Sequence, residues 1–273
     1  MPDSDSRFAG GIPAAYARYL VPLLFAPCAA DLADRAARLR PGRVLELAAG
    51  TGALTRALAA RLPPFAELVA TDLNPAMLEE AERTGAARPV HWRQADAMRL
   101  PFDDAGFDLV ACQFGVMFFP DRVAALAEAR RVLRPGGTLL FNTWDRIADN
   151  GFAAAVTDAL ARLFPADPPR FLARVPHGYH DPATLRRDAE AAGFEAITLD
   201  SLAATSHADD ARTVALAFCA GTPLRSEIEA RDPAGLDAAV AAAETELARR
   251  YGADAPSAPM RAIVLQARRP RPP

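Results

Sequence analysis

The sequence predicts an α/β protein built on a doubly wound, mostly parallel sheet. Two observations carry that prediction. Short apolar runs of strand length alternate with helix-length stretches from Arg43 to Thr143, and such alternation implies parallel strands joined by right-handed helical crossovers. The first run leads directly into Gly50-Thr-Gly52, a turn that lets backbone approach a ligand closely. The length agrees, since 273 residues suffice for one α/β domain and an elaboration.

The elements follow in order. Residues 1–40 read as an N-terminal helical segment, frayed over 1–12, helical from Ala14 to Leu39, interrupted by Pro22 and Pro27 and stopped by Pro41-Gly42. Arg43–Ala48 is a short buried strand, and Ala53–Leu62 a helix ended by Pro63-Pro64. Glu67–Asp72 is the next strand. Asn74 caps the helix Pro75–Arg83, with proline in its first turn. Val90–Arg93 and Phe107–Cys112 are strands, Asp121–Leu133 a helix and Thr138–Thr143 a strand. Beyond this the pattern loosens. Phe152–Phe164 is helical, Pro165–Pro176 is loop, and Asp181-Pro182 opens a helix that Gly193 ends. Phe194–Leu199 and Ala262–Ala267 are strands flanking helical stretches at about Asp209–Ala220 and Gly235–Tyr251. The tail Arg268–Pro273 reads as disordered.

Composition narrows the function. The chain is 51% apolar and 24% charged, ordinary globular usage. A net charge of -3 gives no general attraction to nucleic acid or to an anionic membrane. All 31 basic side chains are arginine, which reads as the coding bias of a GC-rich bacterial genome. Cys28, Cys112 and Cys219 are odd in number and lack zinc-site spacing, so neither a disulfide framework nor a metal centre is expected. The N-terminus has no signal pattern, and the apolar stretch 20–30 is too short to span a bilayer. A cytoplasmic protein is expected.

The chemistry concentrates at four strand ends. In an open α/β sheet, ligands sit beyond the carboxyl ends of the strands, where strand order reverses. Gly50 and Gly52 loosen the first turn, and the following helix aims its free N–H groups into the same crevice. Asp72 ends the second strand, where an acid accepts hydrogen bonds from ribose hydroxyls. Asp96 and Ala97 follow the third strand and can reach an adenine amine; Gln113 and Phe114 end the fourth. An NAD(P)-dependent oxidoreductase would share the ribose acid. However, Gly50-Thr-Gly52-Ala-Leu-Thr55 lacks the third glycine of the dinucleotide fingerprint, which serves close helix–strand packing.

Val44-Leu-Glu-Leu-Ala-Ala-Gly-Thr-Gly52 resembles the first motif of class I S-adenosylmethionine-dependent methyltransferases. Asp72 matches their ribose acid. Gln94-Ala-Asp-Ala-Met-Arg-Leu-Pro-Phe102 is similar to the adenine-side motif of the UbiE-like (methyltransferase type 11) small-molecule branch. Phe107-Asp-Leu-Val110, Phe119-Pro-Asp121 and Arg131-Val-Leu-Arg-Pro-Gly-Gly137 match the later motifs, so the resemblance covers roughly residues 13–145. Ala48 and Ala49 depart from the cysteine or acid common in the first motif. The resemblance implies a Rossmann-like, seven-stranded sheet whose last strand is antiparallel. It implies S-adenosylmethionine as cofactor, held by Glu46, Ala48, Gly50, Gly52, Asp72, Leu73, Met77, Asp96, Ala97, Gln113 and Phe114. The methyltransferase domain then comprises 41–200 and 260–268. Residues 201–259 form a helical insertion between the last two strands, read either as a substrate lid or as passive packing.

Methyl transfer needs alignment and dryness more than a conspicuous catalytic side chain, because the cofactor carries its own leaving group. Where a base is needed, His177, Tyr179 and His180 are the candidates, since histidine titrates near neutrality. The same residues would serve equally as loop and capping groups. Tyr16 and Tyr19 lie on the N-terminal segment, which in this family often closes over the cofactor. Phe114, Met117, Phe118 and Phe119 would line an apolar acceptor pocket, with Trp144-Asp145 shaping it. No Asn-Pro-Pro-Tyr motif of nucleic-acid methyltransferases follows the fourth strand. The expected activity is methyl transfer to oxygen, carbon or nitrogen of a small molecule, by a monomer or homodimer with no nucleic-acid or membrane partner and no metal. The alternative is a cofactor-binding protein without transfer activity.

Overall fold

The computed structural model describes residues 16–272. Seven strands, β1 (Arg43–Leu47), β2 (Glu67–Asp72), β3 (His91–Gln94), β4 (Phe107–Gln113), β5 (Leu133–Trp144), β6 (Glu195–His207) and β7 (Ser257–Arg268), form one sheet in the order β3-β2-β1-β4-β5-β7-β6. β1 pairs in parallel with β2 and β4, β2 with β3 and β4 with β5. The last strand runs antiparallel, as the family resemblance implies. Strand order reverses between β1 and β4, so the crevice lies where the sequence reading put it.

Local chemistry explains the elements. In β1, Val44, Leu45, Glu46 and Leu47 are all buried, as expected of a central parallel strand covered on both faces. Helix α1 (Ala26–Arg38) carries Pro27 in its first turn, where a missing N–H does no harm. The preceding stretch, Tyr16–Phe25, winds as a π-helix with Pro22 inside it, so the expected interruption is a change of winding. Helix α2 (Ala53–Arg61) starts at Gly52, in left-handed conformation with φ 82°. Asn74 caps α3 (Pro75–Thr84) through Ala76 N–H, Asp121 caps α4 (Arg122–Val132) through Ala124 N–H, and Asp181 caps α7 (Pro182–Ala191) through the N–H groups of Ala183 and Thr184.

Several expectations are corrected. β5 begins at Leu133 rather than Thr138, with a register shift against β4 between Phe107 and Leu109 that absorbs the Arg-Pro-Gly-Gly stretch. β6 and β7 are twice the predicted length: β6 runs on as a largely exposed strand, and β7 starts earlier, at Ser257, with exposed and buried residues alternating. The helices of the insertion therefore lie within 211–251. Two short helices were missed: α6 (Phe171–Arg174), inside the proline-rich stretch, and α9 (Leu224–Arg231). Glu227 on α9 explains the first of these, since its carboxylate accepts the N–H groups of Arg170 and Phe171 at the open end of α6. The tail is not loose. Arg269 exchanges backbone bonds with Gly136 and Gly137, and its guanidinium donates to the carbonyls of Arg130, Arg131 and Leu133.

The described chain divides into two compact units. One comprises Ala26–Thr143, Tyr179–Leu202 and the chain from Ala262 onward. Its core joins Leu32, Val44, Leu58, Leu68, Leu109 and Leu140. The other comprises the chain up to Phe25, Trp144–Gly178 and Ala203–Arg261. In it α5 (Gly151–Leu163), α8 (Ala211–Gly221) and α10 (Leu236–Tyr251) pack together. Phe152 meets Tyr251 edge-on at 5.4 Å, and the Tyr251 hydroxyl lies where a Cβ on Gly151 would clash. Cys28, Cys112 and Cys219 are free and buried, and burial pushes each thiol up to about 12.

Candidate active site

The sheet brings the predicted strand ends together. Leu47 stands opposite Cys112, and Asp72 opposite Gln94, so the turns leaving β1, β2, β3 and β4 emerge side by side. Two direct links join them. Asp72 Oδ2 accepts the Gly50 N–H at 2.8 Å, and Oδ1 accepts the Asn74 N–H at 2.8 Å. Asp72 thus fastens the glycine turn to β2 while each carboxylate oxygen retains capacity for a ligand hydroxyl. Burial pushes its pKa up, with the backbone N–H groups of Asn74, Gly50 and Leu73 opposing. The second link is steric: a Cβ on Gly115 would lie 2.5 Å from Ala48 Cβ and 2.7 Å from Cys112 Sγ, so only glycine lets the β4 exit approach the β1 turn.

The glycines do different work. Gly50 has φ 55° and nothing within 4 Å of where a Cβ would stand, so open space lies over it. Gly52 instead packs: its Cβ would press on Arg56, Ala81 and Trp92 at 3.0–3.3 Å. Ala48 and Phe114 both take φ 50°, a conformation few non-glycine residues adopt, on either side of the crevice.

Glu46 is buried in β1. Burial pushes its carboxyl up to about 8, opposed by the Thr55 hydroxyl and the Arg56 charge and reinforced by Asp72. Its Oε2, with Thr51 Oγ1, is buried without a hydrogen-bond partner. Unpaired buried polar atoms call for a bound polar group or water. Helix α2 adds first-turn N–H groups that no side chain caps. Leu73 is 58% exposed, an apolar surface next to the acid. Asp96 is exposed and its Oδ1 holds the Met98 N–H at 2.8 Å, shaping the turn after β3, with Ala97 half-buried beside it. Gln113 is half-buried at the end of β4, Phe114 is buried, and Met77 is buried in α3. Acids for an ammonium and for hydroxyls, N–H groups for a carboxylate and open space over glycine together fit S-adenosylmethionine.

A methyltransferase-domain family model matches residues 45–141. The ubiquinone/menaquinone biosynthesis C-methyltransferase UbiE of Ectopseudomonas mendocina is 36% identical over 179 residues, 60% of this chain and 70% of the relative. The chain belongs to the UbiE-like class I methyltransferase family. Solved structures agree in fold. A Bacillus halodurans methyltransferase candidate superposes with TM-score 0.56 at 23% identity, over 89% of this chain and 98% of that one. Haemonchus contortus phosphoethanolamine N-methyltransferase 2, solved with phosphomonomethylethanolamine and S-adenosylhomocysteine, gives TM-score 0.61 at 17% identity, over 98% of this chain and 60% of that one. This UbiE-like methyltransferase is therefore an S-adenosylmethionine-dependent enzyme, and the oxidoreductase alternative falls away.

The base candidates sit in well-satisfied surroundings. His177 is buried, its Nδ1 lies 2.8 Å from the Asp145 carbonyl, and its ring stands 6.0 Å from Trp144, which also meets Phe25 at 6.1 Å. A carbonyl only accepts, so Nδ1 carries the proton. Tyr179 is buried, donates to Asp188 at 2.8 Å and lies under the Arg122 guanidinium at 4.4 Å. Burial, with the Asp188 bond and charge, pushes its pKa up. His180 is half-buried. Tyr19 is half-buried with the Arg18 guanidinium 5.1 Å from its ring centre, and the Tyr16 side chain lies outside the described residues. In the β4 exit turn, Val116 and Met117 are buried, Phe118 and Phe119 half-buried, and the Arg122 side chain donates to the Met117 carbonyl.

Gly115, Asn142, Thr51 and Thr55 border the same strand ends, and the sequence reading did not single them out. Asn142 left a signal, as the one amide in the apolar run Thr138-Leu-Leu-Phe-Asn-Thr-Trp144.

Proposed function

We propose that this methyltransferase alkylates a ring carbon of a small, electron-rich aromatic acceptor of the hydroquinone type. The observation that carries the reading is the similarity to a quinone-biosynthetic C-methyltransferase over more than two thirds of that relative's length. One feature of the chain accords with it. The β4 exit turn is apolar, with Phe114, Val116 and Met117 buried.

The cofactor supplies a sulfonium methyl. Within the crevice, Asp72 and Asp96 would take its ribose and adenine, Gly50 would let its backbone pass, and Glu46 would face its cationic end. The chemistry the cofactor would supply is transfer of that methyl to the ring carbon, the sulfur–methyl bond breaking to give neutral S-adenosylhomocysteine and the ring C–H proton passing to water. A hydroquinone hydroxyl supplies the electron density for that attack, so no strong protein base is required. His177 and Tyr179 then act as structural groups, in keeping with their buried bonds. In this reading, residues 201–259 shape the acceptor side rather than the cofactor side.

The test is transfer from methyl-labelled S-adenosylmethionine to a demethylated quinone, presented reduced and oxidised. Label in the reduced acceptor only, bonded to carbon by NMR, is expected. Label on oxygen, or equal transfer to the oxidised quinone, would overturn the carbon assignment.

A further inference from the structure

The turn that leaves β4 holds two unusual features side by side. Phe114 adopts φ 50°, a strained choice for a bulky side chain, and Gly115 is pressed against Ala48 and Cys112 so tightly that no Cβ fits. Something must hold this turn in place. The holder is on β5. Asn142 is fully buried and stands opposite Gln113 in the sheet. Its side-chain Oδ1 accepts the Phe114 N–H at 3.0 Å, while its own carbonyl takes the same N–H at 3.2 Å. The donor is a backbone N–H, so the orientation of the amide is fixed: oxygen to Phe114, nitrogen away. That nitrogen finds no acceptor.

An apolar strand residue would serve the sheet better. Position 142 lies between Phe141 and Thr143, both fully buried, and follows the buried apolar run Leu139-Leu140-Phe141. Keeping an amide there leaves one buried donor unsatisfied, which is unfavourable. The oxygen is the part of the side chain with work to do.

We propose that Asn142 is a positioning residue for cofactor binding. It clamps Phe114 in its left-handed conformation and so sets Gly115 against Ala48, fixing the width of the crevice between the β1 and β4 turns. The inference rests on the placement of S-adenosylmethionine in that crevice.

The test uses calorimetric titration with S-adenosylhomocysteine beside thermal unfolding. Asn142→Ala leaves the Phe114 N–H only its longer bond to the main-chain carbonyl and should weaken binding about tenfold, the size of one lost side-chain hydrogen bond, while the protein stays cooperatively folded. Asn142→Asp keeps the acceptor and the shape, and should bind within about threefold of wild type. A merely structural asparagine would move the melting temperature in both variants and leave affinity alone. Wild-type affinity in Asn142→Ala, or equal loss in Asn142→Asp, would overturn the proposal. Should Asn142→Ala not fold, Gly115→Ala displaces the same turn from the other side. It should lose affinity to a similar degree, and unchanged affinity in folded Gly115→Ala would overturn the proposal equally. Gly50→Ala separates the two levels of argument. If it too binds normally, the cofactor placement is wrong; if it alone loses binding, only the role of Asn142 fails.

Discussion

At the scale of the residue, the crevice is defined by how a few backbone positions are held. Gly50 is the sharpest case, since a Cβ there meets no protein atom. Gly50→Ala should therefore fold with a backbone penalty of about 1–2 kcal/mol yet lose most affinity for S-adenosylhomocysteine. Unfolding of this variant, or normal binding by it, would show that the open space has another purpose. Glu46 gives a pH-dependent expectation. Its folded pKa of about 8 lies above the ordinary carboxyl value near 4.5. Over that interval the folded protein holds a proton that the unfolded chain has released, so stability falls as pH rises from about 4.5 to 8 and levels beyond. Glu46→Gln should flatten the dependence and raise the melting temperature at pH 8. An unchanged slope would mean that Glu46 ionises normally in the apoprotein. Residue types at strand ends were legible in sequence because their positions follow from strand length. What Asp72 bonds, and that Asn142 bonds at all, depends on neighbours 22 and 28 residues away and was not.

At the scale of the element, half-buried arginine does part of the fastening. Arg88, in the loop after α3, donates to the carbonyls of Ala59, Leu62 and Pro63, where α2 ends. It satisfies orphan helix carbonyls with a charged donor, and Arg88→Ala should destabilise by about 2–3 kcal/mol with cofactor affinity little changed. Chemical denaturation reads this directly, and a loss below about 0.5 kcal/mol would make the contacts incidental. The first half of the fold was readable because each strand is an apolar run closed by a turn residue or cap. The second half resisted for physical reasons. β6 is largely exposed, so its continuation from Asp200 to His207 carries little apolar signal. Helix α6 has its N-terminal acceptor on α9, more than fifty residues away in sequence, and proline content alone cannot reveal that. The tail reads as disordered by composition, yet Arg269 reaches the last carbonyls of α4 and the first of β5.

At the scale of the whole molecule, the described chain separates into a sheet unit holding every candidate cofactor residue and a mainly helical unit. We propose that the helical stretch between β6 and β7 serves the acceptor. Ala208 N–H bonds to the Pro256 carbonyl at 3.1 Å, and Asp210 bridges Asp254 in antiparallel fashion, so the two strands end side by side. A short glycine-serine linker replacing residues 211–253 can therefore join them. That variant should bind S-adenosylhomocysteine within a few-fold of wild type and lose transfer to the acceptor. Equal loss of both functions would assign the segment to packing. No helix among the described residues is long and apolar enough to cross a membrane.

The most direct test of the account is calorimetric titration of the wild-type protein and Asp72→Ala with S-adenosylhomocysteine, using NADH as the control ligand. The crevice geometry predicts micromolar binding by wild type, no response to NADH and a loss of at least about tenfold in Asp72→Ala, because that one carboxylate anchors the Gly50 turn and in the proposed placement would also meet the ribose. Undiminished binding by a folded Asp72→Ala protein would contradict the placement of the cofactor at these strand ends.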